Sequence, residues 1–223
     1  MSEIKRQMFE EEQLERAGSE ADFLKEAARR EVGSGERTVP RFLQTEKRYS
    51  APARGTAYHR IMELIDFTNA QTPGQVKEQI GQMLADGKIS QETADCVQYS
   101  KVAAFFATDL GKKATQAARE GTLHREQPFL FERAYGGKMQ PPGAQQDLQL
   151  VQGVIDLYFE LDGQLYLVDY KTDRVKGAEG EKELRGRYQV QLDLYAQALE
   201  KASGQKVAFK YIYSFAMMKE LLS

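Results

Sequence analysis

The chain has 223 residues, 31 Lys and Arg against 33 Asp and Glu, two His, one Cys and no Trp, which allows one domain, or one domain with an appended arm. Its single cysteine, Cys96, excludes an internal disulfide, a CxxC redox pair, a zinc ribbon and a four-cysteine iron–sulfur site, and fits a cytoplasmic protein. No run approaches the roughly 18 to 20 apolar residues that span a bilayer, the first residues lack a signal-peptide core, and the net charge of −2 leaves any grip on nucleic acid to a local patch.

Residues 1–31 carry nine acids against six bases and read as an exposed helical arm ending near Gly33-Ser34-Gly35. Residues 1–40 are taken as arm and linker, and 41–223 as the folded domain. From Gly55 to Phe67, Tyr58, Ile61, Met62 and Ile65 recur at helical spacing, with His59 at the edge of the stripe. A second helix follows Thr72-Pro73, buries Val76, Ile80, Met83 and Leu84, and stops at Asp86-Gly87. Ser90 caps a third that runs through Cys96, Val97 and Val102 to Phe106, and a shorter fourth follows Thr108.

The pattern changes at Glu126–Glu132, a short aromatic strand in which Pro128 favours an edge position. Residues 134–149 collect three Gly and two Pro and read as a connecting loop. Leu150–Leu161 and Gln164–Lys171 are β-rich and flank Asp162-Gly163, the dipeptide of a two-residue type I′ hairpin. Arg187–Ser203 is an amphipathic helix, and Val207–Phe215 a final strand. Between the hairpin and this helix, Arg174, Lys176, Lys182, Arg185 and Arg187 lie beside three Glu. They form either a phosphate-gripping segment or a solvated loop.

The hairpin register carries the chemistry. If Leu161 pairs with Gln164, Asp156 lies opposite Asp169, and Asp156, Asp169 and Lys171 project from one face. Two opposed carboxylates are destabilising unless compensated. A hard divalent cation such as Mg²⁺ or Mn²⁺ would compensate them, as would an internal ion network with Lys171 and other bases. Asp156 followed by Asp169-Tyr170-Lys171 resembles the D…(D/E)xK signature of the PD-(D/E)xK nuclease superfamily, with Ile155 in place of the nominal proline. Gly55–His59 (GTAYH), the EQPF strand, Gly153–Leu157 (GVIDL), Val168–Asp173 (VDYKTD) and Gln191–Leu199 (QLDLYAQAL) are similar, in order and spacing, to RecB-like nucleases. The similarity is greatest to the C-terminal nuclease domain of the bacterial AddA-type helicase-nucleases, and it covers about residues 40–216.

That resemblance implies an α/β core with a central mixed sheet, in the order α-β-β-β-α-β, with extra N-terminal helices. It implies divalent-metal-dependent hydrolysis of DNA phosphodiester bonds, most simply of single strands, during double-strand-break repair. His59, Asp156, Asp169 and the main-chain carbonyl of Tyr170 would hold Mg²⁺, with Mn²⁺ able to substitute. Lys171 would be the catalytic lysine, and Glu126 a strand acid serving a second metal or a water. Gln191 and Tyr195, polar on an otherwise apolar stripe, would support the site or contact the DNA backbone; the plain alternative is a Gln at the rim of a packed face. The implied partners are DNA, a helicase domain of the same protein and an AddB-like protein, with no membrane and no iron–sulfur cluster. Absence of a GxxxxGK[ST] loop means that no nucleotide is bound by this stretch. The competing class is a nuclease-fold scaffold that binds DNA without cutting it, against which the full set His59, Asp156, Asp169 and Lys171 argues.

Overall fold

A computed structural model describes residues 49–134 and 148–223. The expected arm and nearly all of the loop at 134–149 lie outside these residues. Helix α1, Ala51–Leu64, starts at Ser50, whose side chain accepts a hydrogen bond from the Ala53 amide, with a proline in the first turn. It buries Ala57, Tyr58, Ile61 and Met62, the stripe read from the spacing. After a short 3₁₀ turn, Phe67–Asn69, helix α2, Pro73–Ala85, opens with a capping box between Thr72 and Gln75.

The single helix expected from Ser90 to Phe106 is two: α3, Gln91–Cys96, and α4, Tyr99–Ala107. Val97 and Gln98 are extended, and the Gln98 amide donates to the Tyr58 hydroxyl at 3.1 Å. A tertiary bond to α1 thus takes the amide that a continuous helix would use internally. Helix α5, Asp109–Glu120, follows at once, because Thr108 ends α4 and caps α5. It is longer than α4 rather than a short tail. The corner is tight enough that a β-carbon on Gly111 would lie 2.0 Å from the Phe105 carbonyl oxygen.

The sheet has five strands in sequence order: β1 Leu123–Ala134, β2 Leu148–Leu161, β3 Gln164–Lys171, β4 Val207–Ser214 and β5 Lys219–Leu222. Neighbours are antiparallel except β3 and β4, which are parallel and therefore need a crossover, helix α6 (Gly177–Ser203). Asp162 and Gly163 both have positive φ (52° and 70°), as a type I′ turn requires, and Leu161 pairs with Gln164. β1 is an edge strand, where Pro128 costs no ladder bond on its open side. Two features depart from the sequence reading: β5 was not expected, and α6 begins ten residues before Arg187, so that Lys182, Arg185 and Arg187 lie on a helix.

Helices α1–α5 cover one face of the sheet, where Leu157, Phe159, Tyr166, Val168, Tyr170 and Tyr213 join Ile61 and Phe105 in one core. Helix α6 covers the other, packing Leu184, Leu192 and Tyr195 on Ile155, Leu165, Leu167 and Ile212. Ile155 and Leu157 thus face opposite layers, although residues two apart on a regular strand share a face. β1 reverses at the same level: Arg125 lies over the Phe67 ring on the α1–α5 side, whereas Phe129 packs on Tyr195 of α6. The reversal falls between the pairs Arg125/Leu157 and Gln127/Ile155, at Glu126, whose φ is 47°, and Asp156. A left-handed backbone at a non-glycine residue is costly and must be held by its surroundings.

Gly111→Ala drives a β-carbon into backbone rather than into a movable side chain, so it should lower the unfolding free energy by about 2 to 3 kcal/mol in urea titration. An unchanged midpoint would mean that the α4–α5 corner is looser than described.

Candidate active site

Strands β2 and β3 pair from Leu161/Gln164 to Leu157/Val168 and then part. Continued alternation would bond the Tyr170 amide to the main chain of Ile155. Instead that amide donates to Asp156 Oδ2 at 2.9 Å, while β3 continues its pairing with β4 as far as Lys171/Ser214. The direct cross-strand pair of Asp156 and Asp169 expected from the register is therefore not formed: the ladder ends one pair short of it. The cause is the reversal at Glu126 and Asp156, which lets a carboxylate rather than a carbonyl meet the next strand.

Asp156 and Asp169 are both buried, at 1% and 0% exposure. His59, brought in by α1, aims Nδ1 at Asp156 Oδ1 (3.2 Å) and Glu126 Oε1 (3.6 Å). Its Nε2 lies 3.2 Å from the Tyr170 carbonyl oxygen, an acceptor only, so this nitrogen carries the hydrogen in that contact. His59, Glu126 and Asp156 offer ligand atoms that all lie within 4.8 Å of one another, a group able to hold a metal ion.

The second half of the site faces α6. Lys171 Nζ lies 2.7 Å from Asp169 Oδ2 and donates to Gln191 Oε1 at 3.1 Å. The Gln191 amide in turn donates to the Tyr195 hydroxyl at 2.6 Å and, at 3.4 Å, to Asp169 Oδ1. The polar positions on the apolar stripe of α6 are thus explained by the buried ion pair that they surround. Both side chains are fully buried, so neither offers a surface to DNA in this arrangement. Gly153 clears space for the same wall, since a β-carbon there would lie 2.6 Å from Phe129 Cζ and 3.5 Å from Tyr195 Cε1.

Of the residues singled out in the sequence, His59, Glu126, Asp156 and the Tyr170 carbonyl meet on the α1 side, and Asp169, Lys171, Gln191 and Tyr195 on the α6 side. Asp169 is not in the three-residue group with His59. Sequence reasoning missed Asp173 and the site-facing part of Tyr188. The Tyr188 ring lies 4.0 Å from Lys171 Nζ, and its hydroxyl donates to Asp173. The only signal was the aspartate of VDYKTD, two residues beyond Lys171. His124 stacks on Tyr158 and takes no part.

Burial, reinforced by Asp156, pushes the Tyr170 phenol well above its usual range. Burial, then Asp173, does the same for Tyr188, so both phenols stay protonated. Lys101 on α4 is held below the usual lysine range, first by burial and then by repulsion from Arg54 and Arg174. Three carboxylates, Glu126, Asp156 and Asp169, face Lys171 and a titratable His59. Two of these carboxylates are buried, where charge needs compensation. The donor set of carboxylate oxygens, a carbonyl oxygen and one imidazole suits a hard divalent cation.

A three-layer α/β fold with an Asp and an Asp-x-Lys where two strands part defines a class of phosphodiester-cleaving proteins. The chain matches the PD-(D/E)XK nuclease superfamily over residues 8–220 and belongs to it. More particularly, it is similar to the larger, A-type component of the ATP-dependent helicase/nuclease of several bacteria. It is 34% identical to that of Lachnoclostridium phytofermentans over 218 residues, 83% of this chain and 16% of the relative. For Clostridium botulinum the identity is 37% over 188 residues (82% and 15%), and for Anoxybacillus flavithermus 35% over 216 residues (96% and 16%). The chain spans about one sixth of the length of these relatives. It corresponds to their nuclease part, and proteins of this superfamily use divalent metal. Among the described residues, no helix is long and apolar enough to cross a membrane.

Lys171→Met removes the ammonium beside a buried carboxylate, so in EDTA it should cost about 3 kcal/mol of stability. Adding Asp169→Asn should restore more than half of that, as read by urea midpoints; two additive losses would mean that the pair is not coupled.

Proposed function

We propose that this chain is a divalent-metal-dependent deoxyribonuclease domain that cuts single strands delivered by a helicase, in the repair of DNA breaks. The observation that carries this reading is the pairing of two buried carboxylates, Asp156 and Asp169, with His59 on one side and Lys171 on the other, at the point where β2 and β3 separate. His59, Asp156, Asp169 and the Tyr170 carbonyl would hold Mg²⁺, or Mn²⁺ in its place, with Glu126 as an added oxygen ligand or an acceptor for a water. Such a cation, when bound, lowers the pKa of a water and polarises a phosphate.

The chain's own groups supply the rest. Lys171 donates toward a phosphate oxygen on which negative charge develops, and its ammonium is already oriented by Asp169 and Gln191 before substrate arrives. Glu126 is only partly buried, so it can accept a proton from an attacking water and pass it to solvent. Arg54, Lys101 and Arg174 come from three different elements and repel one another, an arrangement that a phosphate backbone relieves. Bacterial relatives of about six times this length, named as parts of a helicase/nuclease, support delivery by a motor domain of the same protein and an AddB-like partner in the cytoplasm.

Labelled single- and double-stranded DNA incubated with Mg²⁺, Mn²⁺ or EDTA tests the reading. Cleavage should require metal, favour the single strand, and fall by about 100-fold or more in Asp169→Ala and in Lys171→Ala. Cleavage that persists in both variants would sink the proposed site, and binding without cleavage in any metal would leave a DNA-binding scaffold.

A further inference from the structure

Tyr188 stands outside the constellation that the superfamily signature defines, yet it touches the lysine at its centre. Lysine is a point charge on a flexible four-carbon stem, so its direction must be imposed by what surrounds the ammonium. Around Lys171 Nζ the structure places the Asp169 carboxylate at 2.7 Å, the Gln191 carbonyl at 3.1 Å, and the Tyr188 ring with its centroid at 4.0 Å. The first two are hydrogen-bond acceptors. The third is a π-face, which attracts a cation without competing for its hydrogens.

The ring is itself tied down. Its hydroxyl lies 3.1 Å from each carboxylate oxygen of Asp173, to which it donates. Arg187 Nη1 holds Asp173 at 2.9 Å, and its Nη2 pairs with Glu183 one turn earlier on α6. A chain of contacts therefore runs from the exposed side of α6, through Asp173 just beyond β3, to the buried ammonium. Burial, with Asp173 next, raises the Tyr188 phenol above its usual range, which keeps this hydroxyl a donor.

We propose that Tyr188 is a positioning residue for Lys171: its Asp173-locked ring is the wall that keeps the ammonium aimed at the phosphate while Asp169 turns its charge to a metal ion. This inference rests on the proposed role of Lys171. If Asp169 shares its carboxylate with a divalent cation, the ammonium loses part of its anionic partner, and the neutral π-face remains to hold it. A merely structural role would need only bulk at this position of α6, which leucine supplies without a π-face.

Steady-state cleavage of a labelled single-stranded oligonucleotide by the full chain with Mn²⁺ separates the two roles. Tyr188→Leu should lower kcat by about tenfold or more with KM within about twofold, the size of a desolvated cation–π contact. Tyr188→Trp, which restores a π-face, should recover most of the loss. Tyr188→Phe and Asp173→Ala should each cost a few-fold, and the double variant no more than either alone, because both release the same ring. Thermal melts by circular dichroism fix an assay temperature at which each variant is folded, and Tyr188→Met serves if the leucine variant does not fold. Full kcat in the aliphatic variant, or equal losses in the leucine and tryptophan variants, would overturn the inference. Undiminished cleavage by Lys171→Ala would overturn instead the underlying reading of the lysine; loss there with normal Tyr188→Leu would sink the positioning role alone.

Discussion

Two carboxylates on adjacent strands inside a protein cannot simply face each other. Unpaired charge in a low-dielectric interior is heavily penalised, and like charges on directly opposed residues repel. Here the hairpin ladder ends at Leu157/Val168, and the next free amide, that of Tyr170, goes to the Asp156 carboxylate. The separation divides the charges between two environments: Asp156 with His59 and Glu126, and Asp169 with Lys171 and Gln191. Much else in the fold serves that separation, including the left-handed backbone at Glu126 that turns β1 and β2 over at the same level.

Each layer contributes to one half of the arrangement. Helix α1 brings His59 to the strand ends and is fixed at both ends of its run. The Tyr58 hydroxyl accepts the Gln98 amide, and Arg125 of β1 donates to the Ile65 carbonyl at 2.6 Å, at the C-terminal end where a cation is favoured. On the other side, the crossover required by parallel β3 and β4 carries Gln191, Tyr195 and Tyr188 to Lys171. Because these groups sit on helices and strands packed into two cores, their geometry is set before any ligand arrives.

The hairpin was legible because Asp162-Gly163 dictates its turn and the turn dictates the register; five successive pairs follow it. The stripes of α1 and α2 were legible for the usual reason, that periodic burial leaves periodic sequence. What escaped was decided by tertiary contacts without a local signal. Val97 and Gln98 have nothing in their sequence to stop a helix; the Tyr58 hydroxyl does so from forty residues away. Gly177, Gly180 and Gly186 weaken the helical pattern of early α6, yet Gly180 packs so closely on Val175 that a β-carbon would lie 2.8 Å from Val175 Cβ. The reversal at Glu126 could not be read because left-handed glutamate has no sequence signature. With it went the expectation of a direct Asp156/Asp169 pair, while the residues that gather at the strand ends were those the motif named.

The near-neutral composition also takes on a local meaning. Acids dominate residues 1–31, by nine to six, so the remaining chain is slightly basic even with its buried carboxylates counted. Its cations Arg54, Lys101 and Arg174 lie close enough to perturb one another. The central claim, that the parted strands form one metal-binding centre, is tested most directly by anomalous diffraction from a crystal soaked in Mn²⁺. The account predicts a single strong peak bounded by His59, Asp156, Asp169 and the Tyr170 carbonyl. A peak that excludes Asp169, or none at the strand ends, would contradict it.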